Sequence, residues 1–137
     1  MAKVYLTRVE KFNAAHRLWV DDWSDDRNFT FFGKCANKNW HGHNYTLEVT
    51  VAGNPDPVTG FLMDVRELSK IVIGDVIDHL DHKNLNLDVP FLKGIQPTTE
   101  NMTIVIWNRL ADKIKGCSLY KIRLQETDKI YAEYLGE

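Results

Sequence analysis

Cysteine is scarce in this chain. Cys35 and Cys117 are the only two in 137 residues, and two isolated thiols make no disulfide framework of the kind that holds small secreted domains together. No apolar run approaches the length needed to cross a bilayer, and the first residues lack the apolar core of a signal peptide. An excess of charge of one sign is also missing. The 17 basic residues face 19 acidic ones, for a formal charge of -2, which argues against the broad basic surface that nucleic-acid binding requires. Internal repeats and low-complexity tracts are absent too, and a chain of this length can bury one sizeable core, so residues 1–137 are expected to form a single domain. The expectation is a cytoplasmic protein with reduced thiols and neither nucleic acid nor membrane as partner, in which a cysteine is free for chemistry.

What the sequence does contain is concentrated in residues 32–45, where a cysteine and two histidines lead into a strand. His41 and His43 lie two positions apart, a spacing that sends both imidazoles to one face of an extended chain. Gly42 between them leaves the opposite face uncrowded. Two imidazoles on one face suit Zn²⁺, but a stable site needs a third protein ligand, and a catalytic one keeps a further position open. His16 is the candidate third ligand, because the strand ending there can pair antiparallel with the strand beginning at His41.

Taken in order, residues 4–15 read as an irregular strand. Residues 17–34 lose the pattern, and Asp21, Asp22, Asp25 and Asp26 crowd among Trp19, Trp23, Phe29, Phe31 and Phe32. That segment is expected to be a long packed loop with room for one helical turn. Clean alternation over 41–52 puts Tyr45, Leu47, Val49 and Val51 on one face, with Thr46, Glu48 and Thr50 on the other. His41 and His43 share the apolar parity. Asp64 and Glu67 form a capping-box variant ahead of an amphipathic helix ending near Leu80. Thr98 or Thr99 caps a second helix that continues to Ile114 and stops at Gly116. Strands over 119–126 and 130–134 close the chain as a hairpin. The order β-β-α-α-β-β predicts an α+β fold, a four-stranded antiparallel sheet with two helices on one face. Its open edges and polar face suit association with further copies.

Three further groups stand out. Cys35 lies between Lys34 and Lys38, whose charge favours thiolate, although packing against Phe31 or Phe32 explains it equally well. Asp81-His82 leaves the first helix as a carboxylate–imidazole pair suited to proton transfer once the backbone is no longer helical. His79 reads as a solvated helix residue. Glu126 has the parity of Ile122 and Leu124, so either the strand ends early or a carboxylate lies beside the histidines, able to take adjacent N–H groups of a ligand in a bidentate contact.

With residues 12–16, Cys35, His41-Gly42-His43, Asp81-His82, residues 97–101 and Glu126-Thr127 in the same order, the chain resembles the 6-pyruvoyl tetrahydropterin synthase family. That family includes the 6-carboxy-tetrahydropterin synthases of queuosine biosynthesis. The resemblance implies the T-fold (tunnelling fold), in which three subunits join their sheets into a barrel and two trimers stack as a hexamer with sites between subunits. It implies zinc on His16, His41 and His43, with Cys35 as catalytic base. It further implies Asp81 and His82 from a neighbouring subunit for proton transfer, Glu126 as anchor of the pterin ring, and Thr98, Thr99 and Glu100 along the pocket. The implied substrate is 7,8-dihydroneopterin 3'-triphosphate, converted to 6-pyruvoyl-tetrahydropterin with loss of triphosphate. Arg17, Arg27, Lys34 and Lys38 are available to hold the phosphates. Five residues separate Cys35 from His41, which looks like the pyruvoyl-forming branch, the carboxy-forming branch commonly having fewer. The alternatives are the carboxy reaction, which also releases acetaldehyde, and a non-catalytic pterin-binding subunit in which zinc is structural.

Overall fold

The structure, a computed structural model, describes residues 2–137. Strands β1 (Val4–His16) and β2 (His41–Gly53) pair antiparallel along their whole length, from Val4 opposite Gly53 to His16 opposite His41. A two-residue strand β3 (Lys83–Asn84) lies on the free side of β1, while β4 (Ser118–Thr127) pairs with β2 and β5 (Ile130–Tyr134) pairs with β4. The sheet order is β3-β1-β2-β4-β5. The α+β class and the four long antiparallel strands are as predicted. The sheet is nevertheless mixed and five-stranded, because β3 runs parallel to β1 against Ala14 and Ala15. Two polar residues joined through backbone bonds carry no periodicity, so this edge leaves no trace in the sequence.

One face of the sheet carries the core. Tyr45, Leu47, Val49 and Val51 of β2 are at most 1% exposed, as their alternation requires. Helix α2 (Val65–Val72) passes through a π-helical stretch (Ile73–Ile77) into a last turn, α3 (Asp78–Leu80). Together with α4 (Thr99–Leu110) it covers that face. Leu68, Val72, Val76 and Leu80 meet Met102, Ile106 and Leu110 in a single cluster with Ile122 and Leu124. Each such side chain contributes roughly 1.5–3 kcal/mol by burial. Asp64 caps α2 by accepting the Arg66 N–H, but Glu67 reaches forward to Lys70 at 3.4 Å, so no reciprocal box closes. The second helix ends at Leu110, short of Ile114, and a turn carries the chain on while still burying that isoleucine.

The other face is a ladder of polar pairs: Arg123 to Glu48 at 2.8 Å, Lys121 to Glu133 at 3.0 Å, and Thr7 to Thr50 at 2.7 Å. Cross-strand partners of opposite charge satisfy one another there without a hydrophobic cover.

The segment expected to be loop instead contains helix α1 (Asp25–Phe32), followed by a 3₁₀ turn (Gly33–Ala36) that carries Cys35. Ser24 caps α1 by accepting the Arg27 N–H, and Asp25 and Asp26 occupy the first turn, where the helix dipole favours them. Its one fully buried residue is polar. The Asn28 side chain accepts from the Val20 N–H at 2.8 Å and donates to the carbonyls of Val20 and Ser24 at 2.9 and 3.1 Å, folding the loop onto the helix. Replacing Asn28 by Ala is expected to cost about 2–3 kcal/mol, because buried backbone groups lose their partner. Phe31→Ala, at a residue 70% exposed, should change urea stability little. Equal losses for the two variants would contradict this account of the segment.

Candidate metal centre and adjoining acid–base groups

The β1–β2 register builds the centre. His16 is the last residue of β1 and lies opposite His41, the first of β2, while His43 lies opposite Ala14. The three imidazoles meet edge to face, with ring centroids 4.6 to 5.1 Å apart. One ligand atom from each lies within 4.8 Å of the others. The approach expected of His16 is therefore realised, at the end of the apolar face where parity placed the pair on β2.

His16 is buried, at 1% exposed, and its Nδ1 donates to the Pro97 carbonyl at 2.8 Å. That bond sets the tautomer, leaving Nε2 with a lone pair and no proton. Nε2 of His16 and Nδ1 of His41 are buried without a hydrogen-bond partner, the condition of a nitrogen whose partner is a metal ion. Burial, with the two neighbouring imidazoles adding to it against the Pro97 contact, lowers the His16 pKa to about 4. His41 is also lowered, by burial first and His43 second. Neutral imidazoles at neutral pH are what a divalent cation needs, so the donor set fits zinc.

Glu126 points to this side of the sheet, as its parity allowed. The strand does not end early: β4 continues to Thr127, and Glu126 sits in an irregularity of the β4–β5 pairing. Its Oε1 is 3.5 Å from Nε2 of both His16 and His43. A carboxylate oxygen thus faces the His16 lone pair, an opposition that a bound cation or an N–H-bearing ligand would relieve. Tyr45 lies beneath, stacked on Phe12 at 4.7 Å, with its hydroxyl buried and unpartnered. Burial and the Glu126 charge raise its pKa.

Cys35 is half-buried on its 3₁₀ turn. The lysines at 34 and 38 do not make it a thiolate: burial, and then the Glu126 carboxylate, push the thiol up. Both lysines are exposed, where water screens their charge. Thr98 caps α4 by accepting the Asn101 N–H, Thr99 is buried, and Glu100 is exposed. The Pro97 carbonyl ties this corner to His16. That role of Pro97 is not legible in the sequence, since a carbonyl acceptor leaves no side-chain signature.

Asp81 and His82 stand apart from the centre. Asp81 is extended and His82 is left-handed, with φ of 60°, so the backbone has left helical geometry as the pair requires. His82 Nδ1 is 3.0 Å from Asp81 Oδ2. The Asn13 N–H, with His82 second, keeps the Asp81 carboxyl below its usual range. The His82 side chain is 82% exposed at the β3 edge. His79 is exposed, its ring edge-on to Phe91.

The family model described as 6-pyruvoyl tetrahydropterin synthase matches residues 5–137. A Dictyostelium discoideum protein named 6-pyruvoyl tetrahydrobiopterin synthase is 46% identical over 134 residues, covering 98% of this chain and 97% of its own. The human protein of that name is 42% identical over 132 residues, covering 96% and 91%. The structure of Caenorhabditis elegans 6-pyruvoyl tetrahydropterin synthase superposes with a TM-score of 0.93 at 40% identity, covering 100% of this chain and 98% of that one.

The depressed His16 pKa has a sign that can be tested. As pH falls from 6.5 to about 4, the unfolded chain takes up a proton that the folded chain refuses. Metal-free protein should therefore keep this contribution above pH 6.5 and lose about 3 kcal/mol of it on the way to pH 4. Urea unfolding across that window should show the slope, and His16→Gln should flatten it. An unchanged slope in the variant would contradict the assignment.

Proposed function

The chain belongs to the 6-pyruvoyl tetrahydropterin synthase family, and from that premise we propose that it is a zinc-dependent lyase. Its substrate is 7,8-dihydroneopterin 3'-triphosphate, and its product is 6-pyruvoyl-tetrahydropterin, formed with loss of triphosphate. The observation that carries this reading is the convergence of three imidazoles on one point beside the Glu126 carboxylate.

His16, His41 and His43 would hold the zinc, which when bound supplies a Lewis acid that makes the hydroxyls of the substrate side chain more acidic. Cys35 takes a proton from the carbon framework of that side chain. A thiol with a raised pKa is a stronger base once ionised, which suits removal of a proton from carbon. Glu126 offers two oxygens to adjacent N–H groups of the pterin, with Thr98, Thr99 and Glu100 along the ring. Lys34 and Lys38 are free in solvent beside Cys35 and suit the phosphates.

Asp81 and His82 complete the proton transfers from a neighbouring copy, in a trimer that closes the sheet into a barrel and a hexamer of two trimers. The exposure of His82 and the polar ladder on the open face support that assembly. No helix among the described residues is long and apolar enough to cross a membrane, and the two free thiols suit a reducing cytoplasm.

Incubation of the zinc-loaded protein with dihydroneopterin triphosphate, followed by mass analysis, tests the product. A pyruvoyl side chain is expected; a carboxylate with acetaldehyde would assign the queuosine-type reaction instead. Cys35→Ala should lower turnover by about 10²-fold or more while zinc content stays at the wild-type level, whereas loss of zinc would favour a structural site. Mixing the inactive Cys35→Ala and His82→Ala variants should restore activity in mixed oligomers. No recovery at any ratio would contradict the shared site.

A further inference from the structure

We infer that Arg17 is a positioning residue for Cys35, held in that role by Asn86. This rests on the reading of Cys35 as the base. The turn carrying Cys35 is gripped at two successive carbonyls by the two residues that follow His16. The Leu18 N–H donates to the Cys35 carbonyl at 2.8 Å, and Nε of Arg17 donates to the Ala36 carbonyl at 3.1 Å. The segment that ends in a metal-site histidine thus fixes, one and two residues later, the backbone immediately after the Cα that carries the thiol.

Arg17 is itself immobilised. Its guanidinium stacks on Trp19 at 3.9 Å, a contact that a planar cation makes and an ammonium does not reproduce. Its backbone is clamped by one side chain: the Arg17 N–H donates to Asn86 Oδ1, and Asn86 Nδ2 donates to the Arg17 carbonyl, both at 2.9 Å. The Asn86 amide continues the pairing that β3 and the Leu85 N–H begin against Ala14 and Ala15. Asn86 is fixed in turn by its own N–H to Asn84 Oδ1 at 3.0 Å.

The geometry therefore ties the Cys35 turn, the end of β1 and the segment after His82 into one rigid corner. Arg17 is committed by this network to the protein's own backbone, and Lys34 and Lys38 are left for the phosphates. Small displacements of a reacting group cost rate more than affinity.

The test uses Arg17→Lys, which keeps the charge but loses the planar Nε–H and the stacking, and Asn86→Ala. Both are prepared as zinc-loaded full-length protein. Arg17→Lys is expected to lower kcat about tenfold to a hundredfold, with KM little changed and zinc content at the wild-type level. A KM that rises while kcat is kept would overturn the proposal in favour of a direct contact with the substrate.

A second measurement does not depend on the pterin reaction. Alkylation of Cys35 by iodoacetamide, followed on its peptide by mass spectrometry without substrate, should change rate in both variants, while Cys117 reacts as in the parent. Unchanged Cys35 alkylation in folded Arg17→Lys would overturn the inference. If turnover is absent even in the parent, the proposed function fails while the alkylation result still decides the positioning role.

Discussion

The hydrogen bond from His16 Nδ1 to the Pro97 carbonyl is the contact on which the site depends. Without it a buried imidazole could carry its proton on either nitrogen, and the lone pair facing His41 and His43 would not be set. With it, the end of β1 is joined to the corner that starts α4, so the nitrogen facing His41 and His43 is oriented by the same packing that closes the core. The cost of burying His16 becomes useful at this point: desolvation that disfavours the imidazolium also keeps the nitrogen available to a cation.

Backbone strain falls at two of the chain's candidate site segments. Trp40 and His82 are the two non-glycine residues with positive φ among the described residues, at 66° and 60°. Trp40 immediately precedes His41, and His82 follows Asp81. Left-handed backbone costs a residue with a Cβ roughly 1–2 kcal/mol, so both are sustained by what surrounds them. The His82 N–H is held by the Asn13 carbonyl, at the end of β1 next to the histidine cluster. Strain of this kind concentrates at functional sites; Trp40 precedes a candidate metal ligand, and His82 is itself the candidate proton-transfer residue.

Much of this was legible in the sequence because it rests on periods. Alternation along β2 gives the face carrying His41 and His43, and the same parity allows Glu126 to lie beside them. Helical spacing found the helix beginning at Val65 and the one beginning at Thr99. What escaped lacks a period. β3 pairs with β1 through backbone bonds, α1 is an aromatic-rich helix folded around the buried amide of Asn28, and the Pro97 carbonyl acts through an atom that every residue possesses. The state of the Cys35 thiol is open in the sequence for a different reason. Lys34 and Lys38 are its neighbours in sequence, but in space burial and Glu126 weigh more.

The central claim is that three imidazole nitrogens hold one ion while sulfur stays outside its coordination shell as a base. X-ray absorption at the zinc edge of the loaded protein tests this directly. The account predicts a shell of three nitrogens at about 2.0–2.1 Å completed by oxygen, with no sulfur contribution. A Zn–S distance near 2.3 Å, lost in Cys35→Ala, would make the site a closed structural one and contradict it.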